Sequence, residues 1–174
     1  MAVQHERGYL IPAINSKNVD YVACAQRLSQ SIKQFHPHAH VTIVTQDMLP
    51  HGDLGGYAND WQMFQISPYR QTVKLEADMI AATPVDHWWT LFEHRDVVVS
   101  QGCRTIYNEP SNSRFYRKVF DVNSLPDLYN AITYWRLSQT AKEFFDTVRS
   151  IFENWAEFKK LLKFPEDVPS TDVV

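Results

Sequence analysis

Glu76 and Asp78 stand two residues apart with only Ala77 between them, inside an apolar run that has Leu75 before it and Met79-Ile80-Ala81-Ala82 after it. In an extended segment successive side chains alternate, so two such carboxylates project to one side. Carboxylates grouped near a strand end can hold a hard cation, and diphosphate oxygens can complete its shell. A cation there would neutralise charge on a phosphate leaving group. An acid-x-acid triplet alone is more often a solvated edge. The apolar flanks change the weighing, because burying an unpaired charge is costly.

Other constellations carry less chemistry. His36-Pro37-His38-Ala39-His40 alternates histidines that could share a face for a metal. No Cys or acid cluster lies close in sequence, and Pro37 suits a helix-to-strand turn, so a structural turn is expected. His87 and His94 lie seven apart on a predicted helix and read as surface or core lining. Trp88-Trp89 reads as helix packing rather than a stacking platform. Cys103 has no His or Asn partner in evident context, which argues against nucleophilic catalysis. No glycine-rich phosphate loop of either standard spacing is present, which argues against a Rossmann dehydrogenase or a P-loop NTPase.

The elements that must position the acids follow from periodicity. Residues 8–14 (Gly-Tyr-Leu-Ile-Pro-Ala-Ile) predict a strand running into a polar turn at Asn15-Ser16, with Pro12 placed at a strand end. Val22, Ala25, Leu28, Ile32 and Phe35 repeat at three and four, which predicts an amphipathic helix over 18–35 that His36-Pro37 stops. Val41–Thr45 is β-branched and short, a buried strand. Strand, helix, strand is the start of a parallel sheet. Residues 46–57 hold three of the five glycines and predict a loop. Residues 58–66 read as either helix or strand. Pro68 predicts the start of a helical turn carrying Arg70, Gln71 and Lys74, followed by an apolar segment over 73–82 that the two acids interrupt. Residues 85–94 predict a helix with Trp88, Trp89 and Phe92 inward, and Val97–Val99 a strand. The polar stretch 100–124 predicts a mobile loop. Residues 128–137 predict a strand, Ser138 an N-cap, and 139–162 one long helix with an apolar stripe.

Composition bounds the reading. The 174 residues suggest one domain over 1–174, with 44% apolar and 21% charged residues, as in ordinary globular proteins. A net charge of -3 gives no support for a broad basic face. Two cysteines, Cys24 and Cys103, make no disulfide framework, so a reducing compartment is expected. The polar N-terminus lacks an apolar leader core, and no apolar run approaches ~20 residues, so neither secretion nor a membrane span is expected. Together these predict a cytoplasmic protein.

The order of parts resembles the GT-A class of nucleotide-sugar glycosyltransferases. There an Arg- or Lys-bearing helix precedes a strand ending in an acid-x-acid metal motif, as Arg70-Gln-Thr-Val-Lys74 precedes Leu75-Glu-Ala-Asp-Met-Ile80. Downstream, a strand like Tyr129-Asn-Ala-Ile-Thr-Tyr-Trp-Arg-Leu137 precedes a helix starting near a Ser. The resemblance spans nearly the whole chain. It implies a three-layer α/β sandwich with a mainly parallel mixed sheet, and a ligand at the carboxyl ends of the strands. It implies Glu76 and Asp78 as metal ligands for manganese or magnesium, and Lys74 or Arg70 on the donor. It places Ala13, Ile14 and Asn15 against the base and ribose, Asp47 at the base, and Asn130 with Ala131 on the acceptor side. Asp172 or Asp127 could approach an acceptor hydroxyl, and nothing chooses between them. The sequence departs from the pattern where Glu76 replaces an Asp and Ile132 stands where Gly is common. The resemblance also implies a further metal ligand after a helix start like Thr171-Asp172, where the chain stops. The expectation is a member lacking a C-terminal portion, or a compact viral type working in the host cytoplasm.

The implied activity is metal-dependent transfer of a sugar from a nucleoside diphosphate donor to a hydroxyl acceptor. Arg104, Arg114, Arg117 and Lys118 cluster in the 100–124 loop, which adds a modified DNA base to the acceptors considered. The alternatives are a nucleotidyltransferase using the same sheet and metal logic, and a non-catalytic nucleotide-sugar-binding or assembly module.

Overall fold

A computed structural model describes residues 3–101, 107, 122–126 and 128–165 of the chain. Its strands are β1 (His5–Pro12), β2 (Val41–Val44), β3 (Tyr69–Leu75), β4 (Val97–Gln101) and β5 (Leu128–Arg136). Its α-helices are α1 (Tyr21–Phe35), α2 (Asp60–Ile66), α3 (His87–Phe92), α4 (Gln139–Glu153) and α5 (Trp155–Leu161), with 3-10 turns at Gln46–Met48 and Gly56–Asn59. The strands form one sheet in the order β2-β1-β3-β5-β4. β1 pairs parallel with β2 and β3, and β5 pairs antiparallel with β3 and β4, so β5 alone runs against the rest. This is the mainly parallel mixed sheet that the sequence predicts.

Alternation along the strands builds two cores. Tyr9, Ile11, Val73, Leu75 and Tyr134 face α1 and α3, where they bury Ala25, Leu28, Ile32 and Trp89. Leu10, Val44 and Trp135 face the opposite side and pack on Trp61, Met63 and Ile66 of α2 and Ala141 and Phe145 of α4. Neighbours such as Tyr134 and Trp135 enter opposite layers because a strand's side chains have period two. Helices therefore cover both faces, giving three layers.

Local chemistry sets most element ends. Asp20 Oδ1 accepts from the Ala23 N–H at 3.0 Å and starts α1. Ser138 Oγ accepts from the Ala141 N–H at 3.1 Å and starts α4, as its position predicts. Pro12 is the last residue of β1, where its missing N–H costs no ladder bond further on.

The structure changes some expectations and resolves others. The helical turn after Pro68 is instead β3, because Tyr69, Thr72 and Val73 favour extended backbone and β1 and β5 pair with both its edges. The apolar segment over 73–82 is strand only as far as Leu75, so the acids follow a strand end as expected, and Ala77-Asp78 form a turn. Residues 58–66 resolve into the end of a 3-10 turn and α2. The long helix over 139–162 breaks at Asn154 (φ -117, ψ 28), whose side-chain amide donates to the Ser150 carbonyl at 2.8 Å and closes α4. Of the loop expected over 100–124, Ser100 and Gln101 belong to β4, and most of the remainder lies outside the described residues.

Gly8 of β1 lies directly against the Tyr69 ring of β3. A Cβ there would sit 2.4 Å from the Tyr69 ring. That ring is buried and its hydroxyl is held to Thr42 Oγ1 at 2.7 Å, so it has little room to give. Gly8→Ala is expected to cost about 1–3 kcal/mol of stability, as overpacking does. Urea unfolding checks this, and an unchanged midpoint would contradict the packing.

Candidate functional site

The parallel strands bring their carboxyl ends to one edge. Leu10 pairs with Lys74, so the chain leaving β1 through Ala13, Ile14 and Asn15 lies level with the chain leaving β3 through Glu76, Ala77 and Asp78. β5 starts at this same edge. Leu75 pairs with Ile132, and the Glu76 N–H donates to the Ala131 carbonyl at 3.2 Å, which sets Asn130 beside the acids. Strand order reverses between β1 and β3, and open α/β sheets bind ligands outside the carboxyl ends at such a switch point.

Around the β1 end, Ala13 is buried and its N–H donates to the Val44 carbonyl at 2.8 Å. Ile14 packs into the second core. Asn15 is exposed, and its Oδ1 accepts from the Val22 N–H at 3.0 Å on the first turn of α1. Asp47 sits exposed in the 3-10 turn just after β2, next along the same edge.

The densest chemistry lies at the end of β3. Lys74 is 3% exposed, and its Nζ donates to Asp60 Oδ2 at 2.6 Å and to the Asn130 carbonyl at 3.2 Å. The Asn130 amide also donates to Asp60 Oδ2. Thr133 Oγ1 donates to Asn130 Oδ1 at 2.8 Å. Glu76 is half-buried, and that desolvation is the main reason its carboxyl is pushed above the usual range. Lys74 and a hydrogen bond from Tyr57 pull it down, while Asp78 and Asp60 push it further up. The four charged groups thus share one field. Asp78 is exposed.

Tyr57 rides on a glycine-bearing loop with a polar foundation. Asp53 Oδ1 accepts from the Gly55 N–H at 2.9 Å and from Asn59 Nδ2 at 2.8 Å. Asn59 Oδ1 accepts from the Leu54 N–H and from Gln62 Nε2, and Gln62 Oε1 accepts from the His51 N–H. Asn59 and Gln62 are fully buried, so this network shapes the loop from beneath. Gly55, at φ 87, takes the left-handed backbone the bend requires.

The structure brings Ala13, Asn15, Asp47, Lys74, Glu76, Asp78 and Asn130 to one edge. It does not bring Arg70 there. With β3 a strand rather than a helix, Arg70 lies near its amino end and pairs with Glu6 at 3.3 Å. Five residues of strand put it on the order of 16 Å from Leu75. Asp127, Asp172 and the basic cluster Arg104, Arg114, Arg117 and Lys118 lie outside the described residues. Sequence reasoning missed Asp60 and Tyr57. Their only signal is an acid and an aromatic flanking Ala58-Asn59, in a stretch whose element type was open.

Glu76 and Asp78 offer carboxylate oxygens, the donor type a hard cation prefers. Among the described residues there is no group of three or more His, Cys, Asp or Glu that could hold a metal. A cation held by these two carboxylates would need its remaining ligands from elsewhere.

The histidine run is structural in two of its three members. His36 Nε2 accepts from the Val85 N–H at 2.9 Å, and His40 stacks on His5 with ring centroids 3.6 Å apart. Trp89 is buried against Tyr9, and Trp88 packs beside Phe92. His94 falls beyond the end of α3. A cleft of about 720 Å³ opens beside these histidines, Arg7 and Asp86, at the amino end of β1 and opposite the acids. Among the described residues no helix is long and apolar enough to cross a membrane.

No protein-family model matches this chain, and no curated protein matches it by sequence. Solved structures do match by shape. The galactosyltransferase LgtC, in complex with donor and acceptor sugar analogues, matches with a TM-score of 0.56 at 10% identity, over 89% of this chain and 66% of its own. Mouse xyloside xylosyltransferase 1, in its apo form, matches with a TM-score of 0.57 at 11% identity, over 97% of this chain and 80% of its own. A glycosyltransferase involved in glycosylation of the major capsid of PBCV-1 matches with a TM-score of 0.50 at 10% identity, over 90% of this chain and 75% of its own. The chain spans about two thirds of the length of LgtC. Identities this low speak for architecture, and the architecture of this chain is the α/β fold of GT-A-type glycosyltransferases.

Proposed function

We propose that this chain transfers a sugar from a nucleoside diphosphate donor to a hydroxyl acceptor, with a divalent metal at Glu76 and Asp78. The observation that carries this is the placement of both acids at the carboxyl end of central strand β3, beside Asn130 of β5, in a GT-A-type fold. Manganese or magnesium held there would supply charge neutralisation for the departing diphosphate. Ala13, Ile14, Asn15 and Asp47 would line the base and ribose, because they leave β1 and β2 along the same edge. Asn130 and Ala131 would border the acceptor side. Asp127 and Asp172 are kept as candidates for taking the acceptor proton. The acceptors considered are sugars and a modified DNA base.

A thermal-shift screen tests the reading. Uridine, guanosine, cytidine and adenosine diphosphate sugars are offered with and without manganese. Binding at a hundredfold excess over Kd stabilises by about 2.7 kcal/mol, enough to read as a clear rise in Tm. One base is expected to give that rise, and only with manganese. A flat response to every donor would overturn the assignment. Release of pyrophosphate from nucleoside triphosphates and a sugar phosphate would point to nucleotidyl transfer instead.

A further inference from the structure

We propose that Asp60 is a positioning residue of the donor site, holding the Lys74 ammonium and the Asn130 amide in one fixed arrangement beside Glu76. This rests on the glycosyl-transfer reading and deepens it. Asp60 comes from the start of α2, Lys74 from the end of β3 and Asn130 from the start of β5, so one carboxylate ties three elements together. Asp60 Oδ2 takes both Lys74 Nζ, at 2.6 Å, and the Asn130 amide.

Stability alone does not explain this cluster. An apolar side chain at position 74 would satisfy the packing of a central strand. Replacing a buried ion pair with well-packed apolar residues is often neutral or stabilising. Instead the Lys74 ammonium at the end of β3 meets the Asp60 carboxylate at the start of α2, and that place adjoins Glu76 and Asp78. The arrangement also leaves Asn130 no freedom. Its Nδ2 points to Asp60, its Oδ1 is taken by Thr133 Oγ1 at 2.8 Å, and its carbonyl is taken by Lys74 at 3.2 Å. A residue held at both side-chain polar atoms and at its backbone carbonyl has less freedom to lose when a ligand arrives, and preorganisation of that kind lowers the cost of binding. The Lys74 charge meanwhile stands among Asp60, Glu76 and Asp78, so it offsets their mutual repulsion before any cation arrives.

The decisive variant is the double change Asp60→Asn with Lys74→Met, which removes both charges together and leaves neither buried alone. It is compared with the wild-type chain, using manganese and whichever nucleoside diphosphate sugar the wild type binds. The double variant is expected to melt within a few degrees of wild type while its Kd for the donor rises about tenfold, in the range seen when supporting contacts are lost. Its Kd for the bare nucleoside is expected to stay put, because the base end is lined by β1 and β2. Thr133→Val provides a second route that leaves the charges alone. It frees one end of the Asn130 amide, and a severalfold weaker donor Kd with a normal melt is expected. The two variants decide together, and Thr133→Val decides alone should the double variant not fold. Donor Kd values equal to wild type would overturn the positioning role and leave glycosyl transfer standing. A wild-type chain that binds no donor would overturn the underlying reading itself.

Discussion

Asp78→Ala is expected to lower manganese-dependent donor affinity by about a hundredfold or more, since even loss of a supporting contact costs ten- to a hundredfold in metal affinity. Asp78 is exposed in a turn, so the variant should unfold at the wild-type temperature. The experiment is a manganese titration read by donor-dependent thermal shift, with circular dichroism confirming the fold. Wild-type affinity in the variant would remove Asp78 from the site. Glu76 makes the same prediction depend on pH. Burial holds its carboxyl above the usual range, so it becomes protonated earlier than an ordinary glutamate as pH falls. Metal and donor binding should therefore weaken at a pH higher than an unperturbed glutamate would give. The stability effect has the opposite sign. A raised carboxyl pKa favours the folded state at low pH, and that contribution is lost as pH rises through the folded pKa. Glu76→Gln should bind metal weakly at every pH and remove the acid-side fall, whereas an unchanged fall would assign it to another group.

Trp135→Ala is expected to cost about 3–5 kcal/mol of folding stability, the range for deleting a large buried aromatic. Trp135 is 1% exposed and pairs with Thr72 on one side and Val97 on the other. Its ring meets Phe145 of α4 at 5.0 Å and Phe64 of α2 at 6.5 Å. It thus joins the sheet to both helices of one face. Domains are typically stable by only 5–15 kcal/mol, so the variant would lie close to unfolding at physiological temperature. Urea midpoints with an unchanged slope would measure the loss. A change under about 1 kcal/mol would mean that α4 does not seal that face. Trp88→Ala is a useful contrast, because Trp88 is only half-buried and a smaller loss is expected.

Much of the architecture is written locally. The spacing of Ala25, Leu28 and Ile32 specifies α1 because a 3.6-residue period must turn one face inward. Val41–Val44 is extended because its β-branched residues are stiff at χ1. Ser138 starts α4 because a hydroxyl there satisfies an N–H the helix leaves open. The acid pair is visible because two carboxylates inside an apolar run need a special place. The order of these parts resembles that of the GT-A class, and the fold agrees with the resemblance.

The rest depends on partners far along the chain. The helical turn read after Pro68 gives way to a strand once β1 and β5 claim both edges, and that pairing carries Arg70 away from the acids. The extended backbone assumed for Glu76-Ala77-Asp78 gives way to a turn, so Glu76 goes half into the protein while Asp78 stays in solvent. Lys74, which reads from sequence as a donor contact, spends its ammonium on Asp60 and Asn130. No local pattern marks Asp60, because its value lies in meeting residues 14 and 70 positions away. The sequence by itself determined which residues carry the charges and where elements begin, since those are short-range effects of side-chain chemistry. Only the tertiary structure decided which charges share a site, because that depends on strand pairing across the whole chain.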